Sequence, residues 1–155
     1  MLLASGICPT IALEKAGCNI GIAVDGSASN DCSNMIQEVR QSLLQQRLLY
    51  GAETITAEKV LGWATKGSAN VLHRNDIGEL SPGKQADIAF FALDELRFSG
   101  VGDAIAGLVT CGAHQVDKLM VAGKWVIEDK HHRQVMASEL FSLHSHLAKT
   151  LHRLS

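Results

Sequence analysis

No two of the four cysteines, at positions 8, 18, 32 and 111 of this 155-residue sequence, are spaced C-x-x-C. That density is far below a disulfide scaffold, so reduced thiols in the cytoplasm are the expectation. No apolar run approaches the ~20 residues of a membrane span. The opening MLLASGICPT lacks the basic region of a secretion signal. There is no Lys/Arg-rich run, and 14 Lys+Arg against 16 Asp+Glu give a formal net charge of −2. The electrostatic footprint of a nucleic-acid binder or a membrane-surface protein is therefore absent. Neither G-x-G-x-x-G nor a Walker pattern occurs, which removes support for nucleotide cradling. The H-x-E…P-C-x-x-C signature of cytidine-type zinc deaminases is missing too, as are repeats and low-complexity tracts. What remains is 46% hydrophobic and 19% charged, with a mean hydropathy of +0.10. This is an ordinary globular composition with enough apolar mass for one core.

Pro9 and Thr10 open a short helical pattern through Ile11, Leu13 and Ala16, which Gly17 closes. Asn19-Ile20-Gly21-Ile22-Ala23-Val24 is a mostly apolar run ending at Asp25. Lacking polar alternation, it predicts a strand buried on both faces, as in a parallel sheet. Helix, strand and helix in succession predict an α/β layer. Residues 25–33 form a polar, small-residue loop. Asn34 or Ser33 caps the following helix, with Glu38 in its early turns. Its apolar stripe is Met35, Ile36, Val39 and Leu43, with Gln37, Arg40, Gln41 and Gln45 facing away, and Gly51 ends it. Thr56 caps another helix from Ala57 to about Lys66, followed by small residues through Leu72.

After His73 the pattern changes. Gly78-Glu79-Leu80-Ser81-Pro82-Gly83-Lys84 is turn chemistry, and Asp87 to Ala92 predicts a buried strand. Val116–Val121 and Lys124–Glu128 predict a hairpin around Ala122-Gly123. Ser138 caps a last amphipathic helix with Leu140, Leu143, Leu147 and Leu151 inward. The apolar pattern begins at residue 1, and only one parallel strand is legible. A single parallel strand leaves both edges unpaired, so the chain reads as a piece of a larger unit.

Asp25 is the strongest candidate for chemistry, because α/β folds place catalytic groups at the C-terminal ends of parallel strands. Leu3-Ala4-Ser5-Gly6 followed by Gly21-Ile22-Ala23-Val24-Asp25-Gly26-Ser27-Ala28-Ser29-Asn30-Asp31 resembles the last-strand region of the amidohydrolase superfamily, in its 8-oxoguanine deaminase and chlorohydrolase-type branch. Gly78-x-Leu80-x-x-Gly83-Lys84-x-Ala86-Asp87 is similar to that family's re-entry into a small β-sandwich. Val121-x-Gly123-x-x-Val126 resembles its closing hairpin.

The resemblance implies an α/β fold in three parts. Residues 1–72 would be the last strand and helices of an incomplete (β/α)₈ barrel, 73–130 part of a small composite β-sandwich, and 131–155 a C-terminal helix. It also implies hydrolytic deamination of a small, purine-like heterocycle with zinc, or iron in its place. Asp25 would contact the metal and shuttle a proton, and Asn30 and Asp31 would shape the pocket rim. The family's His-x-His and its other barrel ligands have no counterpart here. The expectation is that the chain alone neither holds the metal nor deaminates. The alternative is a non-catalytic structural or oligomerising module. Either way, association with itself or with the missing barrel portion is expected, through the exposed faces of Ile20–Val24 and Met35–Leu43.

Other candidates carry less. His144 and His146, two apart on a helix, point about 200° from each other and cannot share one metal. His131 and His132 read as exposed, and His73 and His114 as structural. Cys32 lacks a neighbouring histidine, and the adjacent Asp31 opposes a lowered thiol pKa.

Overall fold

The computed structural model describes residues 4–30, 32–113 and 115–153. Helix α1 (Thr10–Lys15) starts after Pro9, as the sequence predicts. It ends where Gly17 takes φ +89°. The Gly17 N–H bonds to Glu14 O at 2.9 Å and the Cys18 N–H to Leu13 O at 3.1 Å, closing the helix with a Schellman-type turn. Helix α2 (Met35–Tyr50) is capped by Asn34 rather than Ser33, its Oδ1 accepting from the N–H groups of Ile36 and Gln37 at 3.1 and 3.2 Å. Ile36, Val39, Leu43 and Gln46 are its buried positions. The recurrence is that of one helical face.

Helix α3 (Ala57–Gly62) is capped by Thr56, whose hydroxyl accepts from the Lys59 N–H at 3.2 Å. It does not stop near Lys66. A π-turn over Trp63–Gly67 carries it into α4 (Ser68–Val71), because the small residues that suggested an end keep helical dihedrals. Helix α5 (Ala104–Thr110), capped by the Asp103 side chain on Ala106 N–H at 2.9 Å, was not foreseen. Its Val109 joins Ile11, Val39, Leu43, Ile55, Ala57, Val60 and Trp63 in the main core. A smaller cluster of Ile36, Phe98 and Ala113 adjoins it.

Gln46 is 1% exposed inside this helical region. Its Nε2 donates to Cys8 O at 2.9 Å, and its Oε1 accepts from the Ile11 N–H at 3.3 Å, so the buried amide is satisfied at both ends.

The expected strand Ile20–Val24 needs correction. Among the described residues it pairs with no other strand. Ile20, Ile22 and Val24 are half-buried while Gly21 and Ala23 are exposed, so one face is covered rather than two. A ladder needs a neighbouring strand, and here a helix takes that place. Ser68 Oγ accepts from the Ile22 N–H and donates toward Ile22 O, both at 3.1 Å. The approach is close: a Cβ on Gly67 would lie 2.2 Å from Ile20 O, and one on Gly21 would lie 3.1 Å from Ser68 Cα. Glycine is required at 67 for lack of space.

The C-terminal region holds an antiparallel sheet in the order β1 (Ile88–Phe90), β2 (Lys118–Val121), β3 (Lys124–Glu128) and β4 (His131–His132). The β2–β3 hairpin is as expected, with Ala122 and Gly123 at φ +48° and +76°. Those signs are what a two-residue turn matching the strand twist demands. Strand β1 is shorter than predicted and not buried, Phe90 being 41% exposed. Asp87 Oδ1 accepts from the Ala122 N–H at 2.7 Å, and so ties the start of β1 to the hairpin.

Helix α6 (Ala137–His152) forms, but it follows Met136 with no side-chain cap, so Ser138 does not cap it. Its leucines do not point inward. Leu140, Leu143, Leu147 and Leu151 are each more than half exposed. Amphipathic spacing specifies a stripe, and covering that stripe needs a second layer that the described residues do not supply. No helix among the described residues is long and apolar enough to cross a membrane.

Candidate functional site

Asp25 ends the segment clasped by Ser68 and adopts φ +64°, a left-handed conformation uncommon outside glycine but tolerated by aspartate. Its carboxylate is exposed. Oδ2 accepts from the Ser29 hydroxyl at 2.7 Å, and Oδ1 accepts from the Gly26 N–H at 2.8 Å. The Ser29 bond first, then the Gly26 N–H, holds the Asp25 pKa below the ordinary aspartate value. The group is thus an ionised, solvent-facing carboxylate on a short turn. Ser29 and Asn30 N–H both donate to Gly26 O at 3.0 Å, which closes that turn.

Asn30 belongs to the same loop, half-buried. Its Nδ2 donates to Glu38 Oε1 at 2.6 Å, and its Oδ1 accepts from the Cys32 N–H at 3.1 Å. The structure brings Asp25 and Asn30 together, whereas Asp31 lies outside the described residues, as does Leu3 of the upstream motif. Glu38 was legible only as an acid in an early helical turn. Its bond to Asn30 depends on how the loop folds back on α2.

The donor set does not complete a metal centre. Catalytic zinc takes about three protein ligands and an open position. Among the described residues no group of three or more His, Cys, Asp or Glu could hold an ion. His144 and His146 are exposed on α6. His131 Nδ1 lies 2.6 Å from Asp129 O, and His132 Nδ1 accepts from the N–H groups of Gln134 and Val135 at 3.1 Å, which are structural roles at a strand end. His73 ends the helical stretch at φ +54°, and His114 lies outside the described residues. The Cys32 thiol donates to Gln37 Oε1 at 3.3 Å.

A groove of about 660 Å³ is lined by Glu14, Asn19, Lys59, Trp63, Lys66 and Asn70 among others. It meets the Asn19–Ile20 end of the segment, and Asp25 does not line it. Its cations are already paired, Lys59 with Glu14 at 2.7 Å and Lys66 with Glu79 at 2.9 Å. Burial pushes the Glu14 pKa up, but the hydrogen bonds from Lys59 and Trp63 and the Lys59 charge outweigh it and bring it below the usual value. Lys84 of the glycine-rich motif reaches Glu79 at 3.1 Å and also bonds to Asn75 O. The Gly78–Asp87 stretch is therefore a structural clasp between the helical region and the sheet.

The model of the amidohydrolase family matches residues 1–126. The chain belongs to the amidohydrolase family. This amidohydrolase is 64% identical over 129 residues to the 8-oxoguanine deaminase of Pseudomonas aeruginosa, covering 83% of the chain and 29% of that relative. It superposes on a zinc-bound adenosine deaminase from Xanthomonas campestris with a TM-score of 0.90 and 30% identity, over 97% of this chain and 35% of that one. The zinc complex of the atrazine chlorohydrolase of Arthrobacter aurescens matches with a TM-score of 0.85 and 30% identity, over 92% of this chain and 32% of that one. The resemblance of the chain to this family is borne out. The chain spans about three tenths of the length of the curated relatives it matches.

Proposed function

We propose that this amidohydrolase chain supplies the Asp25-bearing C-terminal part of a metal-dependent aminohydrolase that deaminates a purine-like heterocycle of the 8-oxoguanine type. One observation carries the reading: the chain presents a donor-held carboxylate in a loop lying within the residues that the amidohydrolase family model matches, in a chain 64% identical over 129 residues to an 8-oxoguanine deaminase. In such a hydrolysis water adds to the ring carbon bearing the amino group. A C–O bond forms, the C–N bond breaks and ammonia leaves. Asp25 is suited to take the proton of the water and pass it to the departing nitrogen, with general acid–base help of about 10²–10⁴-fold. Asn30, and Asp31 in the same loop, would shape the rim of the substrate pocket.

The family resemblance also makes Asp25 a contact for zinc, or iron. The residues described here do not fit a complete centre, since they offer one carboxylate where about three ligands are needed. The other ligands of such a centre would come from polypeptide outside these 155 residues. The exposed stripe of α6 favours a second reading, a module that acts through association alone.

The deciding experiment is a hybrid in which this chain replaces the matching residues of the Pseudomonas relative, assayed for ammonia release from 8-oxoguanine. The hybrid is expected to turn over, and Asp25→Asn to lower kcat by about 10²–10⁴-fold. A folded hybrid whose turnover survives Asp25→Asn overturns the role of Asp25. The chain alone is expected to release no ammonia and to retain no zinc. Turnover by the chain alone would sink that expectation.

A further inference from the structure

The Asp25 loop is held at its far end by a side chain for which the proposed chemistry has no use. Glu38 Oε1 accepts from Asn30 Nδ2 at 2.6 Å, a short bond of the charge-assisted kind. Asn30 then passes the restraint back along the loop. Its Oδ1 accepts from the Cys32 N–H at 3.1 Å, and its own N–H donates to Gly26 O at 3.0 Å. Ser29 donates to the same carbonyl and, through its hydroxyl, to Asp25 Oδ2 at 2.7 Å. Hydrogen bonds thus run without a gap from Glu38 through Asn30, Gly26 and Ser29 to Asp25. The mount is rigid, because beside and beyond Glu38 on α2 lie Val39 and Leu43, 1% and 0% exposed.

An acid in the first turn of a helix usually serves the helix itself, by placing negative charge at the positive end of its dipole. That role depends on charge and acts on the first-turn N–H groups. The Asn30 contact depends instead on an acceptor oxygen and acts on the loop. The two roles separate by substitution, since glutamine keeps Oε1 and loses the charge.

We propose that Glu38 is a positioning residue for Asp25: through Asn30 it anchors the Gly26–Asn30 turn to α2, and so fixes where the Asp25 carboxylate is presented. The functional meaning of the anchor rests on the reading of Asp25 given above, but the anchor itself is measurable without turnover. The test is amide hydrogen exchange by NMR on the 155-residue chain, comparing wild type, Glu38→Ala and Glu38→Gln. Glu38→Ala is expected to speed exchange at Ser29 and Asn30 about tenfold, with Leu43 unchanged. Glu38→Gln is expected to restore protection to within about threefold of wild type, because the acceptor is retained. Unchanged exchange at Ser29 and Asn30 in Glu38→Ala overturns the anchor. So does a Glu38→Gln variant as fast as Glu38→Ala, since charge rather than acceptor would then be at work.

In the hybrid enzyme, Glu38→Ala is expected to lower kcat about tenfold with KM within about twofold, the split expected when a reacting group is displaced and binding is not. Unchanged kcat overturns the positioning role. A hybrid without turnover, with the exchange pattern intact, would count against the deaminase reading and leave the anchor standing.

Discussion

The helical region and the sheet region of this chain are built to different standards of burial. Every core residue, from Ile11 to Ala113, lies in or beside the helices. From Gln115 to Arg153 no described residue is buried, although β2, β3 and β4 are correctly paired and turned. The strands close their hydrogen bonds locally through hairpins, a condition two adjacent strands can satisfy by themselves. Burial is a different requirement, because one face of a sheet or helix needs a second layer. Asp25 and its loop adjoin the well-packed side: Asn30 bonds to Glu38 of α2, and the segment leading to Asp25 is held at Ile22 by Ser68.

The sharpest way to break this contrast is a pair of truncations. Leu43→Ala in the core is expected to cost about 2–5 kcal/mol in urea denaturation, and Val121→Ala on the half-open sheet about 0.5 kcal/mol or less. Equal costs would mean that the sheet region carries as much of the stability as the helices. Next in size is Gly67→Ala, whose Cβ would meet Ile20 O at 2.2 Å. A loss of about 1–3 kcal/mol is expected as the segment is pushed off the helix. A neutral result would show that segment 19–24 can move away freely. Asn34→Ala, removing the cap of α2, is expected to cost about 1 kcal/mol by the same assay.

Acid should act on two clasps, Glu14 within the helical region and Glu79 between it and the sheet. Glu14 and Glu79 both have pKa values lowered in the folded chain. Burial opposes the shift at Glu14 but is outweighed by Lys59 and Trp63, and at Glu79 the hydrogen bond from Lys66 and then that from Lys84 lower the value. A carboxylate with a depressed folded pKa contributes stability above its unfolded pKa and loses it as pH falls through the folded one. Denaturation midpoints should therefore drop as pH is taken below the usual carboxylate range, and Glu14→Gln should flatten that slope. A steeper slope in Glu14→Gln contradicts the sign. The smallest stability effect is expected on α6. Leu143→Glu with Leu147→Glu should change folding by about 0.5 kcal/mol or less, yet shift sedimentation of the chain toward monomer. A wild-type chain already monomeric would remove the case for association through this stripe.

Much of this arrangement was legible in residue patterns. Caps and terminators such as Asn34, Thr56, Gly17 and Gly51 act through local backbone chemistry, so they read directly. The Ala122-Gly123 turn did so for the same reason. Helix α5 was missed because it is a seven-residue element whose buried Gly107 and Val109 give too little periodicity to see. The inward leucines of α6 were misjudged because a stripe states which face is apolar, not whether anything covers it. At the site, Asp25 could be singled out from a strand-like run and a polar loop. The contacts from Glu38 to Asn30 and from Ser68 to Ile22 could not, since those pairs meet only after the chain folds back.

The sequence by itself determined the family, the caps at Asn34 and Thr56 and the hairpin turn at Ala122-Gly123, all of which rest on short-range chemistry or on motif order. Only the tertiary structure decided that the run before Asp25 is clasped by a helix rather than a strand, and that Gly67 is needed for backbone approach. It also decided that the leucine stripe of α6 stands exposed. Each of these depends on which distant surfaces meet, and that is set by packing across the chain rather than by any residue's own preference.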